Sequence, residues 1–172
     1  MRRVALALPF GIAIITMVVA GPARAAVQLL EFGRETLRGI DAVGVVVEIL
    51  HEDVEVAGLT TSPIQTDAED RLRQSGIRVL SKSDRAAAPG RPHVYVSIDL
   101  DPDSYAYLVR VEFRQDVESF VRRGSTIPGV PTWVSGSRGV VGQTVPDGVR
   151  DTVRDDIDRF IGDFLAVNPN MP

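Results

Sequence analysis

The chain reads as an α+β protein of two layers, with a mixed, mostly antiparallel four- to five-stranded sheet carrying two helices on one face, in the order β-α-β-β-β-α. Three observations predict it. Val94, Val96, Ile98 and Leu100 alternate with His93, Tyr95, Ser97 and Asp99, and the alternation resumes as Tyr107, Val109, Val111 and Phe113. A period of two with one apolar face marks an antiparallel hairpin. Val149, Val153, Ile157, Phe160, Ile161, Phe164 and Leu165 recur at helical spacing near the C-terminus, as Ile64, Ala68 and Leu72 do earlier. Two amphipathic helices and a one-sided sheet bury their apolar sides only by stacking, hence the two layers.

Before any of these elements, residues 1–26 show three zones: basic Met1-Arg2-Arg3, a run from Val4 to Gly21 that is apolar apart from Thr16, and Pro22-Ala23-Arg24-Ala25-Ala26. That order is the pattern of a secretory signal peptide, with cleavage expected between Ala25 and Ala26. The alternative is a retained anchor, because this 18-residue run as a helix reaches about 27 Å, close to bilayer thickness. The A-x-A site favours cleavage, leaving a single domain over residues 26–172 with no membrane span and a periplasmic or secreted address.

Val43 to Leu50 is rich in β-branched residues and too short for a helix, so it reads as a buried strand. Ser62-Pro63-Ile64-Gln65 resembles a capped helix start, with Ser62 as N-cap, Pro63 at N1 and Gln65 closing a capping box. Gly76 followed by Ile77 fits a left-handed helix ending. Ile77 to Leu80 is expected as a short strand, and Ser81 to Pro92 as an irregular loop. After the turn residues Asp101-Pro102-Asp103-Ser104, the second hairpin arm runs on past Gln115, which falls on the apolar face, so a bulge is expected near Gln115-Asp116, reorienting Val117 and Phe120. Arg122 to Pro131 is expected as a loop and Thr132 to Val141 as a last strand kinked at Gly136 or Gly139. From Asp147 a helix runs to Asn168-Pro169, with i,i+4 pairs Arg154–Asp158 and Asp155–Arg159 on its outer side.

Composition excludes several function classes. The chain has no cysteine, which removes disulfides, thiol catalysis, zinc–thiolate sites and an N-terminal lipid-bearing cysteine. The net charge is −4. Loss of Arg2, Arg3 and Arg24 with the signal would leave 16 basic against 23 acidic residues, or −7. Nucleic acid and anionic membrane are therefore poorly matched to the chain as a whole.

No motif names a reaction. Asp99, Asp101 and Asp103 form a D-x-D-x-D run, but Ser104 stands at the glycine position of a calcium loop and Arg110 at its bidentate glutamate position, so the hairpin alternation explains them better and no metal is expected. His51 and His93 are far apart and make no zinc pattern. Ser137 lacks the G-x-S-x-G elbow, since Ser135 replaces its first glycine. Gly136, Gly139 and Gly142 lack a dinucleotide fingerprint, and no cofactor is expected. Trp133, the single tryptophan, is a candidate binding anchor, against the commoner role of a strand tryptophan in the core. Tyr105 and Tyr107 are weighed the same way. The acidic outer face of the last helix argues for core packing rather than membrane binding.

Glu69-Asp70-Arg71-Leu72-Arg73-Gln74-Ser75-Gly76-Ile77, the Thr132-Trp133 pair with glycines after it, and Phe160-Ile161-Gly162-Asp163-Phe164-Leu165-Ala166-Val167-Asn168-Pro169 resemble a group of small exported bacterial proteins of unknown function. The resemblance implies a fold and an address, and no catalytic residue. The element order is also similar to small envelope modules such as the N-terminal domain of the Tol-system propeller protein and the plug lipoprotein of lipopolysaccharide transport, the latter without its lipid-bearing cysteine here. The function these readings predict is a non-catalytic binding or assembly module of the cell envelope, taking a partner protein, a lipid or a small ligand. The alternative is an envelope hydrolase with a Ser/His/Asp site assembled in space.

Overall fold

The computed structural model describes residues 31–49, 59–101, 106–140 and 145–170. The expected cleavage point at Ala25 and Ala26, His51, residues 102–105 with Asp103 and Tyr105, and Gly142 lie outside them. A helix α1 covers residues 31–35, followed by β1 (Ala42–Ile49), α2 (Thr61–Gln74), β2 (Arg78–Val79), α3 (Lys82–Ala87), β3 (His93–Asp101), β4 (Ala106–Glu118), β5 (Thr126–Val140) and α4 (Val145–Val167).

The strands form one sheet in the order β2-β1-β3-β4-β5. β1 is parallel to β2 and β3, whereas β3, β4 and β5 form an antiparallel meander. The alternation of β3 is realised completely: Val94, Val96, Ile98 and Leu100 are buried against the helices, beside Val109, Val111 and Phe113 of β4. Helices α2 and α4 close that face with Ile64, Ala68, Leu72, Val149, Val153, Ile157, Phe160 and Phe164. Phe160 sits at the centre, its ring 6.0 Å from Phe113, 5.3 Å from Trp133 and 5.7 Å from Phe164.

Several local expectations are corrected. The Ser81–Pro92 segment contains helix α3, because the Ser81 side chain accepts from the Asp84 amide and caps it. The Arg122–Pro131 segment is only partly a loop, since β5 begins at Thr126; Pro131 is tolerated because β5 is an edge strand. The N-cap of α2 is Thr60, not Ser62, and makes no side-chain cap bond. Pro63 still lies in the first turn, where its missing N–H costs nothing, and Gln65 donates to Glu69 at 2.9 Å instead of closing a box. At the other end Gly76 has φ 81° and the Ile77 amide returns to the Leu72 carbonyl at 3.0 Å, the expected left-handed ending.

Pairing of β4 with β5 runs unbroken through Gly136 and Gly139; the irregularities lie between Phe113 and Arg114 and between Gln115 and Val117. The bulge expected at Gln115-Asp116 is therefore present, and the register stays regular through the two glycines. Gly139 serves Tyr107 instead: a Cβ there would lie 2.6 Å from the phenol oxygen.

The charged side of α4 is used between helices rather than along one. Arg150 and Arg154 both reach Asp67 of α2, at 2.7 and 3.3 Å, and Arg71 Nε donates to Asp158 at 2.8 Å. Arg154 and Arg159 otherwise pair with Asp151 and Asp156, three residues away, in place of the i,i+4 partners. Burial opposes ionisation of Asp67, but the two guanidiniums outweigh it and hold the carboxyl below its usual range. Asn168 joins the ends, donating to the Phe164 and Leu37 carbonyls at 2.9 Å and accepting from the Gly39 amide at 2.8 Å.

Candidate binding surfaces and the polar seam under the last helix

Because β-strand side chains alternate, the residues between the core positions meet on the opposite face of the sheet. There Val46, Tyr95, Glu112 and Val134 form one cross-strand row, and Glu48, Ser97, Arg110 and Gly136 the next. The Tyr95 hydroxyl donates to the Glu48 carboxylate, the Arg114 guanidinium lies 3.6 Å from the centre of the Tyr95 ring, and Arg114 Nε donates to Glu112 at 2.6 Å. Glu112 is buried on this face, with Arg110 at 3.9 Å on its other oxygen. Glu112 thus holds two guanidiniums and Glu48 the Tyr95 hydroxyl, across three strands, so the middle of this face is polar.

His93 stands in the row before, between Gly44 and Arg114. Its Nδ1 lies 2.9 Å from the Arg91 carbonyl, which can only accept, so Nδ1 carries the proton. Burial lowers the imidazole pKa, and the positive charges of Arg85 and Arg114 lower it further, although the Arg91 carbonyl acts the other way. The unfolded chain therefore binds the histidine proton more readily. The stability this contributes is complete above the unfolded value of about 6.5 and is lost as pH falls through the folded value. His93→Gln is expected to reduce the loss of melting temperature between neutral and mildly acid pH; an unchanged slope would remove the role assigned to burial.

At the far end of the same face Asp99, Asp101, Leu108, Arg138 and Val140 line an open groove of about 630 Å³. Leu108 and Val140 are exposed there, at 38% and 76%, and Val134, beside Glu112 in the middle of the face, is 50% exposed. Two members of the D-x-D-x-D run border this groove, and among the described residues no cluster of three or more His, Cys, Asp or Glu is placed to hold a metal.

Between β5 and α4 lies a polar seam that sequence reasoning missed. Asp156 is fully buried; one oxygen accepts from Ser135 at 2.8 Å, Ser137 at 3.3 Å and Arg159 at 2.7 Å, and the other has no partner. Farther along, Trp133 is buried against Phe160 and its indole N–H donates to Asp163 at 2.9 Å, where Arg34 also donates at 2.8 Å. Tyr107 and Thr152 share a hydrogen bond of 2.8 Å. Trp133 is thus placed in the core, with its polar end satisfied. The signal for Asp156 was present: it stands three residues after Val153 and four before Phe160, inside the apolar stripe.

Ser137 is joined to Asp156 and Arg159 rather than to a histidine, and no hydrogen bond links His93 to a serine or a carboxylate among the described residues.

No protein-family model matches the chain, and no curated protein is significantly similar to it.

Among the described residues no helix is long and apolar enough to cross a membrane.

Proposed function

We propose that the chain is an exported, non-catalytic binding or assembly module of the cell envelope that meets its partner on the open face of the sheet. Export is supported by the three-zone N-terminus ending at Ala25-Ala26. The observation that carries the binding role is the pair of exposed apolar residues Leu108 and Val140 lining the groove of Asp99, Asp101 and Arg138. Exposed apolar groups rimmed by charge are the composition of an interaction surface.

A photo-crosslinking amino acid placed at Leu108 or Val140 in cells is expected to give a discrete adduct, and one at Asp155 on the helix layer none. Equal labelling at all three positions would sink the binding role. N-terminal sequencing of the exported form should begin at Ala26; a start at Met1 would overturn the cleavage reading alone.

A further inference from the structure

The β4–β5 hairpin continues past the body of the sheet. Pairing of β3 with β4 ends at His93–Arg114, and Asp116 is still bonded to Gly90 and Arg91, so the arm stands clear as two strands only beyond Asp116. From Asp116 to Ser119, at roughly 3.3 Å per residue, plus the turn, the tip stands about 15 Å out. At the tip, Phe120 is 95% exposed and Val121 92% exposed, followed directly by Arg122 and Arg123.

The tip is held in shape. Ser119 donates its amide to the Ser125 carbonyl at 2.8 Å, the Ser125 amide returns to the Arg122 carbonyl at 3.0 Å, and Gly124 takes φ 79°. The Arg122 amide donates to the Ser119 hydroxyl at 3.1 Å, and the Gly124 amide to Glu118 at 3.3 Å. No carboxylate pairs with the Arg122 or Arg123 side chain among the described residues, and neither residue has further partners. Ile127, 48% exposed, extends the apolar side down the arm.

From this arrangement we infer that the hairpin tip is a membrane-contacting finger, inserting Phe120 and Val121 among the acyl chains of an anionic lipid surface while Arg122 and Arg123 contact its phosphates. A bilayer interface accepts two adjacent apolar side chains without a preformed pocket and attracts the neighbouring cations. The negative charge of the whole chain does not oppose this. Electrostatic fields decay over about 8–10 Å at ordinary ionic strength, less than the reach of the arm, so the lipid surface meets the local charge of the tip. The inference rests on the envelope reading but uses a surface distinct from the open sheet face.

The absence of cysteine permits a direct test. The full chain carrying Ser125→Cys, labelled with an environment-sensitive fluorophore, is mixed with vesicles of phosphatidylcholine alone or with phosphatidylglycerol added; Asp155→Cys serves as the control. A blue shift at position 125, stronger with phosphatidylglycerol and weakened by salt, is expected, with none at 155. In the labelled background, Phe120→Ser with Val121→Ser should weaken tip insertion more than tenfold, on the order of the loss of two buried apolar side chains. Arg122→Ala with Arg123→Ala should weaken it roughly thirtyfold on anionic vesicles and leave the zwitterionic ones unchanged. The inference is overturned if the chain binds vesicles without a shift at 125, because binding then comes from another segment. It is equally overturned if the chain does not bind, or if either double variant inserts as well as the parent. None of these outcomes depends on whether a partner is crosslinked at Leu108 or Val140.

Discussion

Phe160→Ala is expected to destabilise the protein by about 3–5 kcal/mol, the range for removing a fully buried aromatic side chain. Its ring touches the sheet through Phe113 and Trp133 and the next helical turn through Phe164, so truncation opens a void where both layers meet. The neighbours cannot collapse into it easily. Phe113 is anchored in the middle of a paired strand, and Trp133 is held by its hydrogen bond to Asp163. Phe120→Ala, the same chemical change at the hairpin tip, should alter stability by less than about 0.5 kcal/mol, as surface substitutions generally do. Denaturant titration of the two variants side by side is the measurement. Comparable losses would mean that the tip is packed or that the core around Phe160 is not continuous.

The second large effect concerns Asp156. Asp156→Leu removes the acceptor shared by Ser135, Ser137 and Arg159, and is expected to cost about 2–4 kcal/mol, because donors left without a partner near the core lose their hydration without compensation. Arg159 is largely exposed and can turn to water, so the cost falls mainly on the two hydroxyls. Adding Ser135→Ala and Ser137→Ala to Asp156→Leu should therefore recover at least half of the loss. Replacing both sides of a buried polar contact with apolar groups is close to neutral, whereas replacing one side is not. The unpartnered second oxygen of Asp156 sharpens the expectation, since the native side chain already bears an uncompensated buried acceptor. A triple variant less stable than the single one would show that the seam is held by something other than these hydrogen bonds.

Elements whose residues carry their own periodic signal were legible from the sequence alone. The alternation of β3 and β4 and the stripe of α4 determined the two layers, because a side chain's face is set by a local repeat of 2.0 or 3.6 residues. The helix α3 was hidden because its signal is one serine cap over six residues with no buried side chain, too short to show a period. The first third of β5 was hidden because Pro128, Gly129 and Pro131 read as loop, and only a long β4 alongside gives that stretch a partner.

The candidate surfaces divide in the same way. The sequence marked Trp133, Asp99 and Asp101 as residues of interest, but exposure is a property of what packs on them. Trp133 went under α4, whereas Leu108 and Val140 stayed out.

By itself the sequence determined the fold class, the faces of the hairpin and the last helix, the lack of thiol chemistry and the charge balance. Each follows from composition or from contacts between residues close along the chain. Only the tertiary structure decided that Asp156 is buried beneath α4, that Arg150 and Arg154 converge on Asp67 of α2, and that Phe120 stands at the end of a two-stranded arm. Those outcomes depend on neighbours separated by tens of residues, and their distances are set by how the layers pack.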